Sequence, residues 1–205
     1  MKKTDGVKGE EGKGGREEEP RLPVSPFSLL PLDEVERRAA GVRLLLLDCD
    51  GVLTDGRITP VVGGDELKSF HTQDGHGLVM LHRAGLRSGI ISGRTSRLVE
   101  MRAKDLGIAY VRQGALDKIS VYESLLAEAA VDPAAVAYVG DDVVDIPLMR
   151  RSGLALAVAD ATPDTRDAAH HVTRLPGGRG AVREVCELIL KAQGRWDELM
   201  KKYLA

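Results

Sequence analysis

The feature that most constrains this chain is an alternation of two kinds of segment. Five runs are apolar almost throughout: "RLLLLD" (43–48), "RSGIIS" (87–92), "AYVRQG" (109–114), "AVAYVG" (135–140) and "GLALAV" (153–158). Between and after them lie stretches with helical spacing at 77–84, 95–106, 118–129, 144–151 and 179–191. A strand with one face in water alternates apolar and polar residues, whereas a strand covered on both faces reads as an unbroken apolar run. Strand–helix repetition with runs of the second kind predicts an α/β domain, a Rossmann-like doubly wound parallel sheet covered by helices. The exception is "RITPVVGGDELKSFH" (57–71), where a Gly-Gly pair divides two short extended pieces; it predicts a β-hairpin flap outside the repeat.

Parallel sheets bind ligands at the carboxyl ends of their strands. The first strand ends in Asp48 and Asp50, and the second in Ser92, Gly93 and Arg94. The loop after the third leads to Lys118, and the fourth ends in Asp141, Asp142 and Asp145. Any one of these occurs in many loops: a D-x-D is common, "SGR" can be a plain turn, and "GDDVVD" can be a capped helix start. Four successive strands delivering such groups to one edge is a different matter. Carboxylates that converge repel one another unless a cation offsets them, and an all-oxygen set with room for water and phosphate suits Mg²⁺. With a lysine and a Ser-Gly-Arg turn beside them, the set predicts phosphoryl transfer. Alternation along the first strand puts Asp48 and Asp50 on one side and Cys49 on the other, so a carboxylate is the expected nucleophile and the thiol is expected to pack.

Composition narrows the remaining classes. With 29 Lys and Arg against 31 Asp and Glu the net charge is −2, and aromatic residues make up 3%; neither suits a nucleic-acid binder. No apolar stretch approaches a membrane span. Cys49 and Cys186 fit no metal spacing and no disulfide framework, which suggests a reducing, cytoplasmic compartment. Residues 1–26, rich in Lys, Glu, Gly and Pro, read as a disordered arm without signal-peptide or transit-peptide character, and the cluster Glu17–Glu19 within it as a solvated charge run. The domain is expected over 33–193, with a helix or tail over 194–205. His170 and His171 are expected as surface residues at a strand start, Trp196 and Tyr203 as anchors of the terminal helix, and His76, unlike His82, as near enough to the 71–75 loop to be a candidate.

The ordered set "DCDGVLTDG", "SGR", "DK" and "GDDVVD" resembles the four motifs of the haloacid dehalogenase-like phosphatases. Only the short hairpin separates the first two motifs, which matches the capless group. "ELKSFHTQDGHGL", "AYVGDDVVDIPLM" and "LPGGRGAVREVCELIL" are similar to the 3-deoxy-D-manno-octulosonate 8-phosphate phosphatase family, over roughly residues 42–193. The resemblance implies that Asp48 attacks phosphorus and that Asp50 protonates the leaving oxygen and then deprotonates water. It implies Mg²⁺ held by Asp48, the Asp50 carbonyl and Asp141, with Asp142 and Asp145 behind them. Ser92 would bond the phosphoryl oxygens and Lys118 would neutralise charge. Substrate contacts would come from His71, Thr72, Gln73, Asp74 and Gly75, and from Arg94 and Arg102. It implies a homotetramer with packed hairpins, each site completed by a neighbour. The chain departs from the family pattern at Gln73 and Val79, where arginines are usual. A related sialic-type 9-phosphate substrate, or a non-catalytic phosphatase-like oligomerisation module, are the other readings. A receiver domain carries its acidic pair before the phosphorylated strand, an order this chain does not have.

Overall fold

The computed structural model describes Met1, residues 29–63 and residues 66–204. Apart from Met1, the arm expected over 1–26 lies outside the described residues.

Six strands form one parallel sheet: β1 (Leu44–Leu47), β4 (Arg87–Ile91), β5 (Tyr110–Arg112), β6 (Val136–Gly140), β7 (Leu154–Ala157) and β8 (His171–Val172), in the order β5-β4-β1-β6-β7-β8. The first is flanked on both sides, Leu46 standing opposite Gly89 on β4 and Tyr138 on β6, and all four of its leucines are fully buried. Chain order runs outward from β1 to β5, then returns across β1 to β6. The sheet therefore reverses direction at β1, and a crevice opens at the carboxyl ends beside such a reversal.

The helices are α1 (Leu32–Ala40), α2 (Thr72–Arg83), α3 (Arg97–Leu106), α4 (Lys118–Ala129), α5 (Ile146–Met149), α6 (Pro163–Asp167), α7 (Ala181–Ala192) and α8 (Trp196–Leu204). Helix α7 packs on both α1 and α2, and α4 packs on α5. Right-handed crossovers running opposite ways from β1 place these two groups on opposite faces. Among the described residues no cap domain intervenes after β1. The insertion before α2 is the antiparallel pair β2 (Thr59–Pro60) and β3 (Glu66–Leu67), the expected hairpin.

Several expectations shift in detail. Helix α2 begins at Thr72, so most of the segment expected as a loop is its first turn. Burial explains this: Asp74 is 1% exposed and accepts hydrogen bonds from the backbone N–H groups of Gly180 (3.1 Å) and Arg183 (2.8 Å), which closes the N-terminus of α7. The segment 144–151 starts as a 3₁₀ turn, Val143–Asp145, before α5. His170 is buried rather than superficial, its Nδ1 accepting from the Ala155 N–H at 2.9 Å. The terminal segment is helix α8, tied by Tyr203 to His76 at 2.8 Å and by Trp196 to the Arg183 and Lys191 cations. His82 bonds the Leu106 carbonyl and Ser88 and serves the core.

Candidate active site

A cavity of about 490 Å³ opens at the crevice beside β1. Asp48, Asp50, Ser92, Gly93, Arg94 and Lys118 line it, together with the apolar rim of Leu116, Val144 and Pro147. Residues expected from separate strand ends thus share one space. Strand β1 stops at Leu47, and the chain then turns tightly: the Cys49 carbonyl accepts from the N–H groups of Val52, Leu53 and Thr54. Asp48 is 7% exposed, its Oδ1 bonded by the Cys49 N–H at 2.7 Å and its Oδ2 lying 3.2 Å from Lys118 Nζ. Cys49 is fully buried, and burial pushes its thiol up to about 12, which leaves it without a thiolate near neutrality.

Lys118 starts α4, whose N-terminus is capped by the Asp117 carboxylate accepting from Ile119 and Ser120. Its ammonium also donates to Asp145 Oδ1 at 2.7 Å. Asp145 is completely buried yet fully partnered, by Lys118, by the Tyr138 hydroxyl (2.8 Å) and by the Asp141 N–H (3.1 Å). It anchors the Lys118 ammonium from the side of β6. Asp142 meets Asp145 through its backbone, its N–H donating to Asp145 Oδ2 at 3.4 Å, while its own carboxylate is exposed at the head of the 3₁₀ turn and accepts from the Val143 N–H at 2.7 Å.

Carboxylate oxygens of Asp48, Asp141 and Asp145 lie within 4.8 Å of one another. Since Asp145 is already saturated, the acids able to hold a cation are Asp48 and Asp141. Asp141 Oδ1 is buried with no hydrogen-bond partner, an arrangement that costs free energy unless a cation completes it. Burial and the Asp145 charge push Asp48 up to about 7; burial, Asp145 and Asp48 push Asp141 up to about 8. The hard oxygen donors and their mutual repulsion fit Mg²⁺. Gly51 makes this approach possible: its φ is +92°, and a Cβ there would sit 2.0 Å from Asp141 Oδ2.

A strap from the far end of the chain fixes this loop. Gly177 lies so close that a Cβ on it would fall 1.7 Å from the Gly51 carbonyl oxygen, and the Gly178 N–H donates to the Val52 carbonyl at 2.8 Å. The Gly177 N–H donates in turn to Asp160 at 2.9 Å, and Arg179 lies 3.7 Å from Asp55.

Two residues escaped the sequence reading. Lys68 donates to Asp50 Oδ1, and Glu66 bonds Arg94 at 2.6 Å while lying 3.3 Å from Lys68. The available signal was spacing: residues two apart on a strand share a face, and here that face carries opposite charges beside the D-x-D.

The remaining expected substrate residues lie elsewhere. Arg102 rests against Gly75, whose Cβ would meet its Nη2 at 2.2 Å, and over the Phe70 ring at 5.9 Å. His71 Nδ1 and Arg102 Nε are buried without hydrogen-bond partners. Thr72 and Gln73 are exposed on the first turn of α2, and Asp74 is committed to α7. None of these lines the cavity.

Residues 90–182 match the haloacid dehalogenase-like hydrolases. The 3-deoxy-D-manno-octulosonate 8-phosphate phosphatase KdsC of Yersinia pestis is 50% identical over 165 residues, 80% of this chain and 88% of that protein. The chain belongs to this phosphatase family. The corresponding protein of Escherichia coli K12 is 48% identical over the same shares. Among solved structures, the enzyme of Moraxella catarrhalis in complex with magnesium, phosphate and KDO superposes with a TM-score of 0.82 at 39% identity, covering 84% of this chain and 99% of that one. The sheet described above is the architecture these phosphatases share.

Proposed function

We propose that this chain is a Mg²⁺-dependent phosphatase that hydrolyses 3-deoxy-D-manno-octulosonate 8-phosphate to the free sugar acid and phosphate, in lipopolysaccharide precursor synthesis. The observation that carries the reading is the pairing of Asp48 with Lys118 at the floor of an open cavity, in a chain half identical to named phosphatases of that substrate. Asp48 Oδ2 attacks phosphorus and forms an aspartyl phosphate. Asp50 gives a proton to the departing sugar oxygen, then takes one from the water that releases phosphate. Lys118, held by Asp145, offsets the charge gathered between nucleophile and phosphoryl group. Ser92 hydrogen-bonds a phosphoryl oxygen, and Arg94 contributes a guanidinium at the mouth. Mg²⁺, held by Asp48, Asp141 and the Asp50 carbonyl, lowers the repulsion between carboxylate and phosphate when bound.

The sugar acid's carboxylate calls for a cationic partner. Arg102, whose buried Nε makes no hydrogen bond, supplies one chemically, but in the wrong place for the cavity of its own chain. Both observations support a homotetramer in which each site is completed by a neighbour. So does the hairpin, whose two-residue strands are too short to stand alone and which exposes Ile58, Val61 and Leu67. Among the described residues no helix is long and apolar enough to cross a membrane, and the two free thiols are in keeping with a cytoplasmic enzyme. The domain assignment carries over as 33–193, with α8 as an appended helix.

The test is phosphate release from the octulosonate ester, with a sialic-type 9-phosphate as competitor substrate. Wild type is expected to prefer the eight-carbon ester with Mg²⁺ present, and Asp48→Asn to lose about ten-thousandfold or more in kcat. Retained activity in Asp48→Asn excludes Asp48 as nucleophile; preference for the nine-carbon ester replaces the substrate.

A further inference from the structure

Asp50 presents two unlike oxygens. Oδ1 receives the Lys68 ammonium and, at 3.5 Å, the Thr54 hydroxyl. Oδ2 is buried and accepts no hydrogen bond, with Arg94 Nε at 3.6 Å. Lys68 itself is a buried cation on an otherwise exposed hairpin: its side chain is 4% exposed, and Glu66 Oε1 flanks it at 3.3 Å. It does not line the cavity, whereas Asp50 and Arg94 do. It stands behind the acid, outside the lining of the cavity. A buried ammonium is costly unless charged groups meet it, and the groups that meet this one are the proton-transfer carboxylate and a hairpin glutamate. Glu66 holds the arrangement from the other side, its second oxygen taking Arg94 at 2.6 Å.

We propose that Lys68 is a positioning residue for proton transfer: by engaging Oδ1 it fixes the Asp50 rotamer and leaves Oδ2 as the oxygen that carries the proton. The inference rests on the acid–base role assigned to Asp50 above. In the first half-reaction the Oδ2–H proton passes to the bridging ester oxygen as the P–O bond breaks and its electron pair stays on that oxygen. In the second, water oxygen bonds phosphorus, its proton goes to Oδ2, and the Asp48–P bond breaks with its electrons returning to Asp48. Both transfers use one oxygen, so a carboxylate free to rotate would serve each less well. The hairpin becomes part of the proton-transfer geometry, reaching it through a side chain outside the cavity lining.

The discriminating measurement varies the leaving group. A sugar oxygen needs a proton to depart and p-nitrophenolate does not. Asp50 still activates water after either ester, so the comparison is made in kcat/KM. That quantity ends at formation of the aspartyl phosphate and for the aryl ester reports on Asp48, Lys118 and the phosphate site. Steady-state kinetics on both esters, at saturating Mg²⁺, compare wild type with Lys68→Met and Lys68→Arg. The expected result for Lys68→Met is a fall of about a hundredfold in kcat on the sugar ester. The ratio of sugar-ester to aryl-ester kcat/KM falls at least about tenfold, KM for the sugar ester stays within about threefold, and Lys68→Arg recovers most of the ratio. Equal losses of kcat/KM on both esters, a change confined to KM, or an unchanged ratio overturns the proposal. If the methionine variant fails to fold, Lys68→Gln is expected to shift the ratio in the same direction, and an unmoved ratio there is equally fatal. Wild type that leaves the octulosonate ester uncut removes the substrate assignment alone; the ratio is then measured on whichever alkyl phosphate the enzyme hydrolyses.

Discussion

The cavity at the strand ends and the patch around Arg102 are built in opposite ways. The first draws its groups from β1, β4, α4 and the turn after β6, and each is held by a partner also on that edge: Asp48 by Lys118, Lys118 by Asp145, Asp145 by Tyr138. The second sits on the first turn of α2 and the middle of α3, away from that cavity, with polar nitrogens of His71 and Arg102 left unmet. The contrast separates two tasks. On the proposed function, the groups that act on phosphorus are positioned by the sheet, while Arg102, the guanidinium proposed for the sugar acid, lies between α2 and α3 outside the cavity.

Substitutions can break or sharpen that contrast. The largest effect is expected at Lys118→Ala, where kcat falls roughly a hundred- to a thousandfold on sugar and aryl esters alike, because the lost charge acts on the phosphoryl group. A loss limited to the sugar ester would move Lys118 to the recognition side. Next comes Arg102→Ala. Losing a charge-assisted hydrogen bond of about 2 kcal/mol raises KM for the sugar ester roughly thirtyfold, with kcat on p-nitrophenyl phosphate nearly kept. If the aryl ester suffers equally, the two regions are not independent. Gly177→Ala forces a methyl against the Gly51 carbonyl, and overpacking of this kind costs about 2 kcal/mol, or about 6 °C in Tm. Calorimetry that finds no loss would mean the strap yields freely.

The smallest effect concerns the crowded acids. Folding raises Asp48 to about 7 and Asp141 to about 8, each from an ordinary aspartate value of 3.8. Their contribution to stability is thus fully present below about pH 4 and is lost as the pH climbs through 7 to 8. A cation between them offsets that loss, so the gain in Tm on adding Mg²⁺ to chelator-treated protein is expected to be larger at about pH 8.5 than at about pH 6. A gain independent of pH would place the cation away from this pair.

Much of the first region was legible because its signals are local. An apolar run such as Leu44–Leu47 declares a buried strand, and the residues next in the chain must emerge at its end. The four motifs could be read in order without any knowledge of packing. Lys68 and Asp74 were opaque for the converse reason. The role of Lys68 appears only when the hairpin folds back on Asp50, and that of Asp74 only when α7 brings the Gly180 and Arg183 N–H groups to it. The short α6 carries too little pattern for periodicity to register.

The glycine strap ties together residues that leave the ribosome far apart in time. The Asp48–Asp55 turn is made early, but the backbone that braces it at Gly51 and Val52 belongs to the last part of the domain, as do the two N–H groups that anchor Asp74. All six strands of the sheet, and the acids at its edge, precede those residues; the turn that carries Asp48 stays unbraced until they are made. Contacts of such separation form late and slowly. Synthesis order therefore acts as a safeguard, since a nascent or truncated chain carrying every motif still lacks the final brace.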